Sequence, residues 1–117
     1  MIREVAFVAV AVTDFKRARK FYEETLGLSR DSETASESWA EYSIGVVTLG
    51  VGAHPAFQPS REGTSVAFEV DDIDQTIAQL KERGVTFDMD KIETPVCWMA
   101  VFRDPDGNRL LVHKRKS

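Results

Sequence analysis

The chain has 117 residues, a single cysteine and a formal net charge of −4 at pH 7. This length suits one compact domain with its own hydrophobic core, so we treat 1–117 as a single domain. The charge argues against a nucleic-acid partner, and no apolar run reaches the roughly 20 residues of a membrane span. Because Cys97 is the single cysteine, we expect no intrachain disulfide and a cytoplasmic location.

The two halves of the chain repeat one pattern. Segment 7–14 aligns with segment 65–72, and both are strand-like runs that end in an aspartate suited to a helix N-cap. This aspartate is Asp14 in the first segment and Asp72, or Asp71, in the second. The repeat divides the chain into a module at 1–53, a linker at 54–63 and a module at 64–117.

Each module is predicted to contain one strand, one helix and three further strands. Helices at 15–26 and 73–83 follow the capping aspartates, and each has its apolar residues on one face. Gly27 and Gly84 stand where a left-handed residue commonly ends a helix. The later strands are predicted at 28–32, 39–44 and 46–51 in the first module and at 86–91, 96–103 and 109–113 in the second.

The fold class that this order predicts is α+β, with two βαβββ modules. Side chains alternate along a strand, so the larger apolar residues of each first strand should face the helix. Small residues and one carboxylate then remain for the opposite face, which we expect to border space rather than a dense core. That opposite face carries Phe7, Ala9, Ala11, Ser65, Ala67 and Glu69.

A tight turn is predicted near the C-terminus, where Asp104-Pro105-Asp106-Gly107-Asn108 separates two strands. Together with the runs at 7–14, 21–28 and 66–72, this turn resembles the vicinal oxygen chelate superfamily, also called the glyoxalase/bleomycin-resistance/dioxygenase group. The resemblance covers essentially the whole chain. It implies that the two modules form a half-open barrel around a cleft and that the protein is a homodimer.

Metal-using members of that group hold a divalent ion in the cleft with His and Glu ligands. Carried over through the matching motifs, the ligand positions fall on Phe7, Thr48, Ser65 and Leu111. Phenyl and isobutyl groups cannot coordinate a metal, and hydroxyls are weak neutral ligands. We therefore predict no metal ion and no cofactor.

The charged residues assigned to the uncovered face are Glu69 and Arg109, and His113 has the same strand parity as Arg109. A charge on a face that encloses a cavity needs a partner or a ligand. In one interpretation Arg109 receives an anionic or carbonyl group and Glu69 accepts a proton. In the other, these two residues pair with each other or reach solvent. Glu69, Arg109 and His113 are thus the candidate catalytic residues.

An apolar cleft with aromatic walls and a few polar groups is typical of a small-molecule site. The alternation does not decide whether Trp98 faces the cleft or the helix, because both faces of its strand are apolar. The predicted ligand-binding residues are Phe7, Ala9, Trp39, Thr48, Ser65, Ala67, Glu69, Trp98, Arg109 and Leu111.

Three functions remain open from the sequence. The leading prediction is a metal-free protein that binds a planar or aromatic small organic molecule. The second is an enzyme of the same group, a lyase, isomerase or dioxygenase, with a relocated metal or an acid–base site. The third is a dimeric accessory protein whose cleft is closed by Phe7 and Leu111 as ordinary core residues.

Overall fold

The structure is a computed structural model that describes residues 1, 3–31, 36–55 and 58–116. Its chain divides into two compact units, Met1–Pro59 and Ser60–Ser117. Each unit combines one helical segment with one mixed sheet, so the predicted α+β class is confirmed. Within the described ranges no helix is both long and apolar enough to cross a membrane.

The first unit has a sheet of three strands and one helical segment. Strand β1 runs parallel to β3, and β2 runs antiparallel to β3, which gives the order β1-β3-β2. The elements are β1 at Val8–Ala11, α1 at Phe15–Lys20 with a π-helical turn at Phe21–Thr25, β2 at Trp39–Ile44 and β3 at Val47–Gly52.

Helix α1 begins where the sequence predicts it. The Asp14 carboxylate accepts a hydrogen bond from the Arg17 backbone N–H at 3.0 Å, which satisfies one of the free donors of the first turn. The helix then widens into the π-helical turn, where the Leu26 N–H donates to the Phe21 carbonyl. Gly27 ends the segment at a φ of 76°, a conformation that favours glycine.

The strand predicted at 28–32 is wrong over residues 28–31, and Ser32 lies outside the described residues. One backbone bond, from Asp31 N–H to the Glu41 carbonyl, resembles a strand ladder. Side chains fix the rest of the segment instead: the Arg30 guanidinium donates to the Trp39 carbonyl at 2.9 Å, and the Ser43 hydroxyl donates to Asp31 at 2.8 Å. These bonds give a loop, so the described part of this unit shows βαββ.

The second unit has a four-stranded sheet in the order β4-β7-β6-β5, with β4 parallel to β7 and the other pairs antiparallel. It shows the full predicted βαβββ order, with strand ends shifted by one to a few residues. Its elements are β4 at Val66–Glu69, α2 at Ile73–Glu82, β5 at Phe87–Glu93, β6 at Cys97–Arg103 and β7 at Arg109–Arg115.

The turn between β6 and β7 is built around one buried carboxylate. Asp104 is 4% exposed, and its Oδ1 accepts from the backbone N–H groups of Asp106 and Asn108 at 2.9 Å each. Its Oδ2 accepts from the Asn108 side-chain amide at 2.9 Å. Gly107 adopts the positive φ of 85° that the turn requires. This turn fixes the register that places Arg103 opposite Arg109.

Candidate ligand-binding faces of the sheets

Each sheet has one face that carries the helix and one that does not, and we call the second the helix-free face. In the first sheet, buried Val10, Tyr42 and Val51 lie on the helix side, together with Tyr22 of the helical segment. The alternation of side chains places the other residues on the helix-free face. These are Phe7, Ala9, Ala11, Trp39, Glu41, Ser43, Thr48, Gly50 and Gly52.

The Trp39 side chain lies flat across strand β3 on this face. A Cβ atom at Gly50 would lie 2.4 Å from two atoms of the Trp39 ring, Cη2 and Cζ2, and a Cβ atom at Gly52 would lie 2.4 Å from its Cε3. Real Cβ atoms do not approach a ring so closely, so both positions must lack a side chain. The two glycines thus form a floor that holds one side of the indole, and the other side faces away from the strand.

Two neighbours fix the edges of the Trp39 ring. The indole Nε1–H donates to Oε2 of Glu41 at 2.8 Å. The Phe7 ring stands edge-on to the indole, with centroids 5.3 Å apart and an interplanar angle of 72°, and Phe7 is 47% exposed. Edge-to-face packing of this kind is a favourable aromatic geometry. The predicted ligand residues Phe7 and Trp39 are therefore brought together, on the face that the sequence assigned to Phe7.

The opposite side of this sheet holds a polar network instead of a site. Tyr42 is fully buried, and its hydroxyl donates to Glu23 at 2.8 Å. Arg19 donates to both Glu23 oxygens at 2.7 and 3.0 Å. The Arg19 hydrogen bonds, with that of Tyr42, hold the pKa of Glu23 below its usual value, whereas burial and the bond to Glu23 raise the pKa of Tyr42. We assign this network a structural role, because all its groups bind each other.

A surface depression of about 790 Å³ lies beside helix α1. Its lining is mostly charged, and none of the predicted site residues belongs to it. It is therefore not the site that the sequence predicts. Its lining residues are Asp14, Phe15, Lys16, Arg17, Arg19, Lys20, Glu23, Glu24, Ser36 and Glu37.

In the second sheet, buried Phe102, Leu110 and Val112 lie on the side of α2. Register and alternation place charged as well as apolar residues on the helix-free face. These are Ala67, Glu69, Met99, Val101, Arg103, Arg109, Leu111, His113 and Arg115.

Glu69 and His113 form a close pair on this face. They are register partners on β4 and β7, and Oε1 of Glu69 lies 2.6 Å from Nδ1 of His113. The second oxygen, Oε2, accepts from the Arg115 backbone N–H at 2.9 Å. The pKa of Glu69 lies below its usual value, mainly because of the Arg115 backbone bond and next because of the His113 bond. The carboxylate is thus fixed at both oxygens and orients the imidazole.

Arg109 does not pair with Glu69, so the pairing that the second interpretation of the sequence offered is wrong, whereas both side chains reach solvent, as its other alternative held. Its Nε–H donates to the Ser65 hydroxyl, one NH2 group donates to the Gly63 carbonyl at 3.2 Å, and Glu62 lies 3.9 Å away. Of the three candidate catalytic residues, the structure therefore couples Glu69 with His113 and leaves Arg109 in a separate cluster.

Trp98 lies on the helix side of the second sheet, opposite the face that carries Ala67, Glu69, Arg109 and Leu111 of the same unit. It shares its strand parity with buried Ala100 and Phe102. The ammonium groups of Lys91 and Lys116 lie 5.7 and 5.0 Å from its ring centroid. Lys91 also pairs with Asp74 of helix α2. The Trp98 ring is thus covered by lysine side chains through cation–π contacts, and it does not belong to the helix-free face.

The residues at the carried-over ligand positions do not fit a divalent metal ion. Phe7 and Leu111 present hydrocarbon, and the Ser65 hydroxyl already accepts from the Arg109 guanidinium. That guanidinium places a positive charge where a metal ligand would stand, which opposes the binding of a second cation. Over the described residues, no three His, Cys, Asp or Glu side chains are grouped so that they could hold a metal.

Sequence reasoning missed Gly50, Gly52 and Glu41 as parts of the candidate site. A signal for the glycines is present, because two glycines spaced by one residue inside a strand mark a close approach by another group. Glu41 stands two residues after Trp39 and so shares its face. The sequence does not show that its carboxylate meets the indole N–H.

Comparison with known proteins identifies the family of the chain. A sequence model of the Glyoxalase/Bleomycin resistance protein/Dioxygenase superfamily matches residues 4–112. The chain belongs to this superfamily. It is 31% identical over 118 residues to the uncharacterized protein YetH of Bacillus subtilis (strain 168), covering 96% of this chain and 98% of YetH.

Solved structures that are similar to this chain over nearly its full length have the same fold. The antibiotic binding protein TnmS3 from Streptomyces sp. CB03234 is 26% identical, with a TM-score of 0.78 over 98% of both chains. A member of the Glyoxalase/bleomycin resistance protein/dioxygenase superfamily from Sphaerobacter thermophilus DSM 20745 is 25% identical, with a TM-score of 0.76 over 97% of this chain and 98% of that one. The resemblance noted in the sequence is therefore confirmed, as is the superfamily fold.

Proposed function

We propose that this superfamily member is a small-molecule binding protein that works without a metal ion and accepts a planar or aromatic ligand. The observation that carries the proposal is the flat Trp39 ring on its glycine floor. A ring that is already fixed loses little side-chain freedom when a ligand stacks on it, which favours binding. Phe7 adds a second aromatic surface beside the ring.

Two further points support the proposal. TnmS3, which is similar over nearly its full length, is named as an antibiotic binding protein, and antibiotics are small organic molecules. The carried-over metal positions hold Phe7, Thr48, Ser65 and Leu111, which argues for a function that needs no metal. Of the other predicted residues, Ala9 and Thr48 lie on the same face of the first sheet, within reach of a larger ligand.

Fluorescence of Trp39 tests the proposal. The change Trp98→Phe removes the other tryptophan of the chain. The fluorescence of this variant then reports on Trp39 alone. We expect the neutral planar probe acridine to quench this signal in a saturable manner. In Trp39→Leu, acridine binding measured by equilibrium dialysis should weaken roughly five- to tenfold, because the stacking surface is gone.

Trp98→Phe is the matched control, since it removes a tryptophan that lies on the helix side of the other sheet. Its acridine affinity should equal that of the unchanged protein. Equal affinity in the unchanged protein and in Trp39→Leu would exclude the Trp39 ring as the binding surface.

A second candidate function is acid–base catalysis by the Glu69–His113 pair, as in a lyase or isomerase. The observation that favours it is the 2.6 Å contact at Nδ1 of His113, which leaves Nε2 of the same ring to exchange a proton with a substrate. An activity found by substrate screening should then fall strongly in Glu69→Gln and His113→Gln. Activity that is insensitive to both changes would exclude this pair.

We also keep the homodimer and the cytoplasmic location as proposals. The superfamily resemblance implies the dimer, and open strand edges and exposed apolar residues such as Val47 and Val96 are surfaces that a second copy can cover. Sedimentation equilibrium should show a mass of twice the chain at micromolar concentration. A single monomeric species there would refute the dimer.

A further inference from the structure

We infer that the ligand of the Trp39 surface carries a cationic or N–H donor group at the edge of its ring system, and that Glu41 receives this group. The inference rests on the proposed function, because it names the chemical class of the ligand at the same surface. It makes Glu41 the residue that determines which planar molecules bind.

The position of the Glu41 carboxylate is the first step. It stands at the edge of the indole, where Oε2 accepts the Nε1–H at 2.8 Å. A ligand that stacks on the indole therefore brings its own edge close to this carboxylate. Gly50, the register partner of Glu41 on strand β3, has no side chain that could cover it.

The unused bonding capacity of Glu41 is the second step. Over the described residues, Oε1 has no hydrogen bond and no lysine, arginine or histidine pairs with the carboxylate. Glu41 is only partly exposed, so its charge is less well hydrated than that of a fully exposed glutamate. A ligand donor at Oε1 would supply the missing partner, and a charged one would form a stronger bond than a neutral one.

The charge of the site is the third step. The face of an indole is negative and attracts cations, and Glu41 adds a formal negative charge beside it. The same two features repel an anionic ring system such as an aromatic carboxylate. Positive planar ligands are thus favoured by both the ring and the carboxylate.

Two matched probes test the inference in the Trp98→Phe background. The probe 9-aminoacridine is a planar cation with N–H donors, and acridine at mildly alkaline pH has the same ring system without charge or donor. We expect 9-aminoacridine to bind about tenfold more tightly than acridine. Glu41→Gln should remove this preference and leave acridine affinity within about twofold, because the glutamine carbonyl can still accept the indole N–H.

Glu24→Gln is the matched control. It removes the same charge from an exposed position on the helical segment, away from Trp39. This variant should retain the preference for 9-aminoacridine, which separates a local effect of Glu41 from the net charge of the protein.

The outcomes distinguish the two proposals. Equal affinities for both probes, unchanged in Glu41→Gln, would overturn the inference and leave the stacking site in place. Equal loss of preference in Glu41→Gln and Glu24→Gln would also overturn it, since net charge would then explain the selectivity. Acridine binding that survives Trp39→Leu would instead overturn the proposed function itself.

Discussion

The indole of Trp39 fills the space that a side chain at Gly50 would need. The two residues come from adjacent antiparallel strands, and a Cβ atom at Gly50 would lie 2.4 Å from the indole. The ring position is therefore set by the absence of a side chain as much as by its hydrogen bond to Glu41. This relationship makes the stacking surface sensitive to a single methyl group.

Gly50→Ala is expected to destabilise the protein by about 1–3 kcal/mol, because the methyl group forces the indole or the strand to move. In a Trp39→Ala background the same change should cost less than half as much, since the clash is absent. Urea unfolding of the four proteins of this cycle measures both values. Additive effects of the two changes would show that the ring and the glycine are not in contact.

Tyr42→Phe should lower the free energy of unfolding by about 1.5 kcal/mol, because it removes a hydrogen bond to an ionised carboxylate. The phenol donates to Glu23 at 2.8 Å inside a network that Arg19 completes. In a Glu23→Gln background the loss should be smaller, because the acceptor is then uncharged. A loss of the same size in both backgrounds would show that the hydroxyl does not depend on Glu23.

The stability of the second unit should fall in acid, partly through Glu69. The pKa of this carboxyl is lower in the folded chain than in the unfolded one, so its contribution is present above the usual glutamate value of about 4.3 and is lost as the pH falls through the folded value. Urea midpoints between about pH 5 and about pH 3 should therefore decline less steeply in Glu69→Gln.

Glu82→Gln is the control for this pH series. Glu82 lies on helix α2, so the change removes a negative charge without touching His113 or the Arg115 N–H. The Glu69 contribution should remain in this variant. If Glu69→Gln and the unchanged protein show parallel acid profiles, the bonds that the Arg115 N–H and His113 make to Glu69 do not lower its pKa in solution.

Metal content should be far below stoichiometric in protein purified without a metal-affinity step. Incubation with zinc, nickel, manganese or iron followed by gel filtration should not raise it, because Phe7 and Leu111 lack donor atoms and Arg109 occupies the Ser65 hydroxyl. Elemental mass spectrometry makes the measurement. Close to one ion per chain would refute the metal-free part of the proposed function and would direct attention to His113 and Glu69.

Local features of the fold could be predicted from the sequence because they depend on neighbouring residues. Asp14 and Asp72 cap their helices as predicted, each bonding the backbone N–H three residues later. The loop at residues 28–31 could not be predicted in this way. Apart from Leu28 its residues are polar and do not alternate as a strand would, and the bonds that Arg30 and Asp31 make to other segments hold them in a loop.

In the candidate site, too, the sequence predicts some features and not others. Alternation places Phe7, Glu69 and Arg109 on the faces away from the helices, and the structure agrees on each. It does not pair Glu69 with Arg109, because the register puts His113 opposite Glu69. Nor could alternation decide the face of Trp98, since its strand is apolar on both sides.

The sequence by itself determined the α+β class, the repeat, the two helices and the tight turn at 104–108, because these follow from local periodicity, capping and turn chemistry. Its motifs also carry the resemblance to the superfamily. Only the tertiary structure decided that Trp39 lies on Gly50 and Gly52, that Glu41 holds its indole, and that Glu69 binds His113. The physical reason is strand register. It is set by packing between distant segments, and it decides which side chains meet.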